Sequence, residues 1–246
     1  MTTDYDPIAE QYQLSKQQPW RLYIESYGLL DLAGDLAGKA VVDLACGEGF
    51  YSRLLKHVGA RRVLGVDSSQ GMIDLARKQE AEQGGGIEYL LSDVREIGHA
   101  GEFDLAVAAW LLNYASTTEQ LEAMCRAVSA CLKPGGRFVT VNSSPLIDWT
   151  TIPSYRKYGF ETLFGNELRS GAPITWKFYL ENETFDIENY YLSQSAHEEA
   201  LRGAEFSEIN WRPLRVSAEG TAAYDAGYWD TFLTVQPVVF IECVKG

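Results

Sequence analysis

The sequence is short of positive charge, cysteine, histidine and long apolar runs, and each shortage excludes a class of protein. Its 246 residues carry 21 Lys and Arg against 34 Asp and Glu, a net charge of −13 at neutral pH. Such a chain repels the phosphates of nucleic acid unless a local patch overrides the average. Basic residues never run beyond adjacent pairs such as Arg61–Arg62, so no nucleic-acid partner is expected. The four cysteines (Cys46, Cys125, Cys131, Cys243) form no C-x-x-C pair and no metal-ligand spacing, which points to reduced, buried thiols and no metal site. No apolar stretch approaches the roughly 20 residues that span a bilayer. The polar, acidic start through Asp4 and Asp6 is unlike a signal peptide. A cytoplasmic location without a membrane partner is the resulting expectation, with monomer and homodimer both open.

What is present is a regular alternation. Ala40–Ala45, Arg62–Val66, Ile87–Leu91, Phe103–Ala109 and Arg137–Val141 are short, continuously apolar runs. Between them lie helical patterns, one carrying Leu54, Leu55 and Val58, one capped at Ser68–Ser69 and running through Met72, Ile73 and Ala76, and one from Thr117 to Leu132. Lys133-Pro-Gly-Gly136 is expected to stop the last of these. Buried strands separated by helices predict a mostly parallel sheet covered on both faces. Residues 1–38 read as an N-terminal helical lid and 143–192 as an aromatic insertion containing a hairpin, Ile174–Leu180 and Thr184–Tyr191. A helix over Ser193–Gly203 and strands near Ile209–Val216 and Val238–Val244 complete one domain of 246 residues.

Three carboxylates follow strand ends. Asp43 precedes Gly47-Glu-Gly49 at a strand-to-helix turn, where glycines let a ligand approach the backbone and the helix start offers free N–H groups. A carboxylate there repels a dinucleotide pyrophosphate but suits the ammonium of a bound amino acid. Asp67 ends the next strand, placed to take both ribose hydroxyls or simply to cap a helix. Asp93, beside Val94, can bind an adenine amino group while the adjacent backbone N–H takes a ring nitrogen; a solvated turn is the bland alternative.

Taken in order, Asp43-Leu-Ala-Cys-Gly47-Glu-Gly49, Gly65-Val-Asp67-Ser-Ser69, Ser92-Asp93-Val94, Phe103-Asp104 and Leu132-Lys-Pro-Gly-Gly136 resemble the motifs of class I S-adenosylmethionine-dependent methyltransferases. The resemblance implies a Rossmann-like α/β fold with a mostly parallel seven-stranded sheet, S-adenosylmethionine as cofactor and S-adenosylhomocysteine as product. By that similarity Asp43 and Gly47 hold the methionine part, Asp67 the ribose, and Asp93 with Val94 the adenine, with Ala45 and Ser68 as further cofactor-binding candidates. Met72 packs on the adenine or is ordinary helix core, and Ala109 with Trp110 flank the reactive methyl. Ala108-Ala-Trp-Leu-Leu-Asn-Tyr-Ala115 together with the aromatic insertion resembles bacterial small-molecule methyltransferases of the toxoflavin-pathway N-methyltransferase kind.

The expected chemistry is in-line methyl transfer to a nitrogen or oxygen of a small molecule, for which positioning matters more than a base. Tyr12 and Arg21 are further cofactor candidates, Arg21 for the methionine carboxylate. Tyr5, Trp20, Tyr114, Trp149, Tyr155 and Trp176 are candidates for the acceptor pocket, with lid core or a dimer contact as the alternative for the hairpin aromatics. Of the three histidines, His57 and His99 read as solvated, and His197, near a substrate mouth, is the candidate base. Two rivals remain on sequence grounds: a nicotinamide-dependent oxidoreductase, and a non-catalytic S-adenosylmethionine-binding or repurposed fold.

Overall fold

The computed structural model describes residues 4–98 and 102–246; His99 lies outside them. In chain order the elements are α1 (Ala9–Ser15), a π-helical turn at Arg21–Ser26 continuing into α2 (Tyr27–Ala33), β1 (Ala40–Leu44), α3 (Phe50–His57), β2 (Arg62–Asp67), α4 (Gln70–Gln83) and β3 (Glu88–Leu91). Then come β4 (Phe103–Ala109), α5 (Thr118–Cys131), β5 (Leu132–Ser143), β6 (Phe160–Phe164), β7 (Ala172–Tyr179) and β8 (Thr184–Tyr191). The chain ends with α6 (Gln194–Gly203), β9 (Phe206–Arg212), α7 (Ala218–Ala223), α8 (Asp230–Val235) and β10 (Val238–Lys245).

Seven strands form one sheet in the order β3-β2-β1-β4-β5-β10-β9. The first five are parallel and β10 runs antiparallel to both its neighbours. Successive side chains on a strand face opposite sides, and the sequence exploits this. Val41, Leu105, Val107 and Ala109 enter one core, with α3, the N-terminal helices and the insertion. Val42, Leu44, Ala106 and Ala108 enter the other, with α5 and α6. Both faces are therefore dry, as the continuous apolar runs predict. Local signals fix the helix starts: Ser69, Thr117 and Ser193 each accept a backbone N–H three residues on.

Three details differ from expectation. The insertion is a three-stranded antiparallel sheet, β6-β7-β8, rather than a hairpin alone; β6 is the added edge strand. Its partner β7 buries Ala172, Ile174, Trp176 and Phe178 on one face, the alternation expected of it. β9 starts at Phe206 rather than near 209, because α6 ends at Gly203 and a left-handed Glu205 (φ 66°) turns the chain at once. Pro213, which has no N–H to donate, stands just past its end. Finally, Lys133–Gly136 does not precede β5 but interrupts its pairing. Leu132 already pairs with Phe103, and the ladder resumes at Leu105 opposite Arg137.

Candidate functional site

β1 is flanked by β2 on one side and β4 on the other, so the strand order reverses between β1 and β4. In doubly wound sheets ligands bind in the crevice beyond the C-terminal strand ends at such a point. A cavity of about 220 Å³ opens there. Its wall contains Ala45 and Gly47 after β1, Asp67 and Ser68 after β2, Met72 on α4, Asp93 and Val94 after β3, and Ala109 and Trp110 after β4. Tyr5 and Tyr12 of the N-terminal segment close it, together with Tyr114.

The loop after β1 is built for close approach. Ala45 and Gly47 both sit at φ 56° and Gly49 at φ 83°, left-handed conformations that cost little for glycine and more for alanine. Trp110, at φ 71°, is a second non-glycine residue held in this region. Its N–H donates to the Val141 carbonyl (2.8 Å) and its indole N–H to buried Glu25 (2.8 Å). Two of the five left-handed non-glycine residues among the described residues thus face one cavity, where strain is held by surrounding contacts.

Asp67 ties the floor together. One carboxylate oxygen accepts the Gly47 N–H (2.8 Å) and the other the Ser69 N–H (2.9 Å). Burial raises its pKa; the backbone bonds from Ser69, Gly47 and Ser68 oppose the rise without cancelling it. Each carboxylate oxygen has further acceptor capacity, which is what a vicinal diol requires. Asp93 caps the turn after β3, accepting the Arg95 N–H (2.8 Å), and its carboxylate pairs with the Arg95 guanidinium at 2.6 Å. The pairing with Arg95 holds its carboxyl below the usual value.

Asp43 is a correction. It does not line the cavity: it is fully buried behind the loop, where Ser52 Oγ donates to it (2.6 Å) and its other oxygen has no partner. Burial pushes its carboxyl up to about 7, against the Ser52 hydroxyl bond. Its role is to anchor the first turn of α3, and charge facing the cavity comes from Asp67 and Asp93 instead.

Arg21 is a second correction, since it does not line the large cavity either. Its guanidinium is buried against Glu25 (3.2 Å), to which Lys16 (3.7 Å), Trp110 and the Tyr51 hydroxyl also converge. Burial alone pushes the Glu25 carboxyl up, but the two cations and two hydrogen bonds outweigh it and hold it below the usual value. Arg21 instead lines a small recess beside the cavity, with Tyr5, Tyr12, Trp110, Tyr114 and Trp176 in its wall.

Of the acceptor-pocket candidates, Tyr5, Tyr114 and Trp176 line that recess. Trp20, Trp149 and Tyr155 line neither space and are corrected to core. Trp20 packs against Trp110, Phe160 and Phe232, Trp149 donates its indole N–H to the Ser144 carbonyl, and Tyr155 stacks on Phe160 at 5.1 Å. His197 is also corrected. It is buried on α6, its Nδ1 2.9 Å from the Ser193 carbonyl and its ring against Trp211, and burial lowers its pKa. The α6 helix packs on α5 and β9, and His197 lines neither the cavity nor the recess beside it. His57, at the end of α3, is exposed as expected. Sequence reasoning missed Arg95, Leu111 and Met124, which also line the cavity. Arg95 was findable two residues after Asp93; nothing local marks Met124, which comes from α5.

The wall fits the cofactor that the motifs imply. Two carboxylates and one guanidinium give it a net negative charge, which opposes a diphosphate. The same charge complements a ligand bearing ammonium, sulfonium and one carboxylate. Among the described residues no group of His, Cys, Asp and Glu is arranged for a metal.

Comparison with known proteins agrees. Residues 41–136 match the methyltransferase domain family. A ubiquinone biosynthesis O-methyltransferase of Bordetella avium is 32% identical over 145 residues, 57% of this chain and 57% of that protein. A demethylmenaquinone methyltransferase of Lactococcus lactis is 30% identical over 172 residues, 68% of this chain and 62% of the relative. The chain thus spans under two thirds of the length of these relatives. The methyltransferase fold extends over nearly all of it: a crystal structure of an S-adenosylmethionine-dependent methyltransferase from Clostridium acetobutylicum superposes with a TM-score of 0.68, covering 99% of this chain and 100% of that one at 18% identity. No helix among the described residues is long and apolar enough to cross a membrane.

Proposed function

We propose that the chain is an S-adenosylmethionine-dependent methyltransferase that methylates a nitrogen or oxygen of a small molecule by in-line displacement. The observation that carries this reading is the convergence of Ala45, Gly47, Asp67, Ser68, Met72, Asp93 and Val94 on one cavity at the β1/β4 crevice. The cofactor, when bound, supplies an activated methyl on a positively charged sulfur. Asp67 takes the ribose hydroxyls, Met72 and Val94 enclose the adenine, and Asp93 accepts from its amino group on the side Arg95 leaves free. Trp110 and Tyr114, at the boundary with the recess, orient the acceptor and exclude water. Such positioning is worth several kcal/mol in a bimolecular displacement.

The chain's negative charge supports a small acceptor over nucleic acid. The aromatic insertion over the recess supports the finer kinship with toxoflavin-pathway N-methyltransferases. Both named relatives are methyltransferases of quinone-type pathways by their descriptions, which supports transfer as the reaction class. Calorimetric titration with S-adenosylhomocysteine and with NAD tests the reading. Micromolar affinity for the first and none for the second is expected; the reverse overturns it. A small-molecule fraction incubated with methyl-labelled cofactor then yields labelled product if the protein is an enzyme, and none if it only binds the cofactor.

A further inference from the structure

The recess beside the cofactor cavity has a composition that selects its occupant. It is walled by Tyr5, Tyr12, Trp110, Tyr114, Trp176 and Phe178, with Arg21 and Asn189 as its other polar residues. Trp110 and Trp176 meet edge to face at 5.0 Å, and Trp176 stacks over Phe178. Two of the residues that line it carry unspent donors: Arg21 Nε and Trp176 Nε1 are buried without a hydrogen-bond partner. A buried donor without a partner is costly and rare, so two on residues of one recess point to a ligand's acceptor atoms.

The charge count points the same way. Lys16 and Arg21, with side chains 5% and 1% exposed, share the single carboxylate of Glu25. Asp43 also acts on Lys16, but burial has pushed its carboxyl up to about 7, so it offsets that charge only in part. The buried cluster carries excess positive charge. The aromatic faces that would otherwise welcome a cationic ligand are already met by the protein's own cations, Lys16 at 4.8 Å from the Tyr12 ring and Arg21 at 5.1 Å from Phe178. A second cation would be repelled.

We infer that the methyl acceptor is a flat aromatic molecule bearing an anionic oxygen, which lies against Trp110, Trp176 and Tyr114 in the place of Tyr5 and takes the N–H groups of Arg21 and Trp176. The inference rests on the methyltransferase reading and names the substrate class for that site. The recess holds only about 10 Å³ with the Tyr5 and Tyr114 hydroxyls in contact across it. The acceptor therefore enters by displacing Tyr5, which lies on the N-terminal segment and not on the sheet.

The test is calorimetry on the intact chain saturated with S-adenosylhomocysteine, using three probes of one carbon skeleton: 2-naphthoate, its saturated analogue decahydro-2-naphthoate, and 2-naphthylmethylamine. The expected result is that 2-naphthoate binds about tenfold or more tightly than the amine, a charge-assisted hydrogen bond being worth that much, and about threefold to tenfold more tightly than the saturated acid, the worth of aromatic ring contacts. Trp176→Phe, which keeps the ring and removes the N–H, should weaken 2-naphthoate about fivefold to tenfold and leave S-adenosylhomocysteine affinity unchanged. Equal or tighter binding of the amine or the saturated acid overturns the inference, as does no binding of 2-naphthoate. Arg21→Lys weakening S-adenosylhomocysteine but not 2-naphthoate also overturns it, because Arg21 would then serve the methionine carboxylate. Failure of S-adenosylhomocysteine to bind the unmodified chain instead sinks the methyltransferase reading, so the two failures are distinct.

Discussion

Replacing Asp67 separates what that carboxylate does for the fold from what it does for a ligand. It accepts two backbone N–H groups, from Gly47 at 2.8 Å and Ser69 at 2.9 Å, and so joins the β1 loop to the start of α4. A hydrogen bond to a charged group contributes about 1.5–3 kcal/mol net. The burial that raises the Asp67 pKa offsets part of that gain. Asp67→Ala should therefore destabilise the chain by about 2–4 kcal/mol, the range expected when a buried polar pair is broken. The ligand effect is additional: two hydroxyl donors lose a charged acceptor, which predicts affinity for S-adenosylhomocysteine lower by about 100-fold. Asp67→Asn retains one acceptor oxygen and should fall between. Urea unfolding gives the first quantity, and calorimetry at a temperature where the variant stays folded gives the second. A folded Asp67→Ala protein that binds S-adenosylhomocysteine within about threefold of the parent would refute the reasoning.

Asp43 gives a pH signature. Its folded carboxyl titrates at about 7 against 3.8 ordinarily, so the folded state holds the proton more tightly and stability falls as pH rises between those values. At about 1.36 kcal/mol per unit the loss approaches 4 kcal/mol as an upper figure. Urea unfolding of Asp43→Asn should lack that slope between pH 4 and 7, and an unchanged slope would contradict it. Glu25→Gln leaves Arg21 and Lys16 buried without a counter-charge and should cost about 3 kcal/mol in the same measurement, as removing one partner of a buried pair does; a cost near zero would contradict the ion-pair cluster. Asp6 accepts from Ser69 and from the Gly71 N–H and so latches the N-terminal segment over the cavity. Asp6→Ala should speed S-adenosylhomocysteine release several-fold in stopped flow, with an unchanged rate excluding the latch. His197→Gln should leave cofactor affinity and any pH–rate profile unaltered, since His197 lies on α6 away from the cavity.

The sheet was legible because each of its central strands is apolar on both faces, a pattern that few other arrangements tolerate. The cavity at the β1/β4 crevice was legible because Ala45, Gly47, Asp67, Asp93 and Val94 are fixed by strand ends, where position in sequence sets position in space. The aromatics were not. Trp20, Trp149 and Tyr155 resemble Tyr114 and Trp176 in sequence, and only the packing of β6 and α8 decides which are core and which face the recess. β6 itself hides between Gly159 and Gly165 in a stretch too short for a clear period. Arg21 carried a usable signal that pointed elsewhere: Glu25 lies four residues on, the spacing of a helical ion pair. Asp43 shows a limit of another kind, since adjacency to a glycine turn does not reveal which side of the loop a side chain faces.

A crystal structure with S-adenosylhomocysteine tests the central claim most directly. The account predicts the ligand in the β1/β4 crevice, with its ribose hydroxyls on Asp67, its adenine between Met72 and Val94, and its sulfur facing Trp110 and the aromatic recess. A ligand bound elsewhere, or a nicotinamide dinucleotide seated against Gly47 in its place, would contradict it.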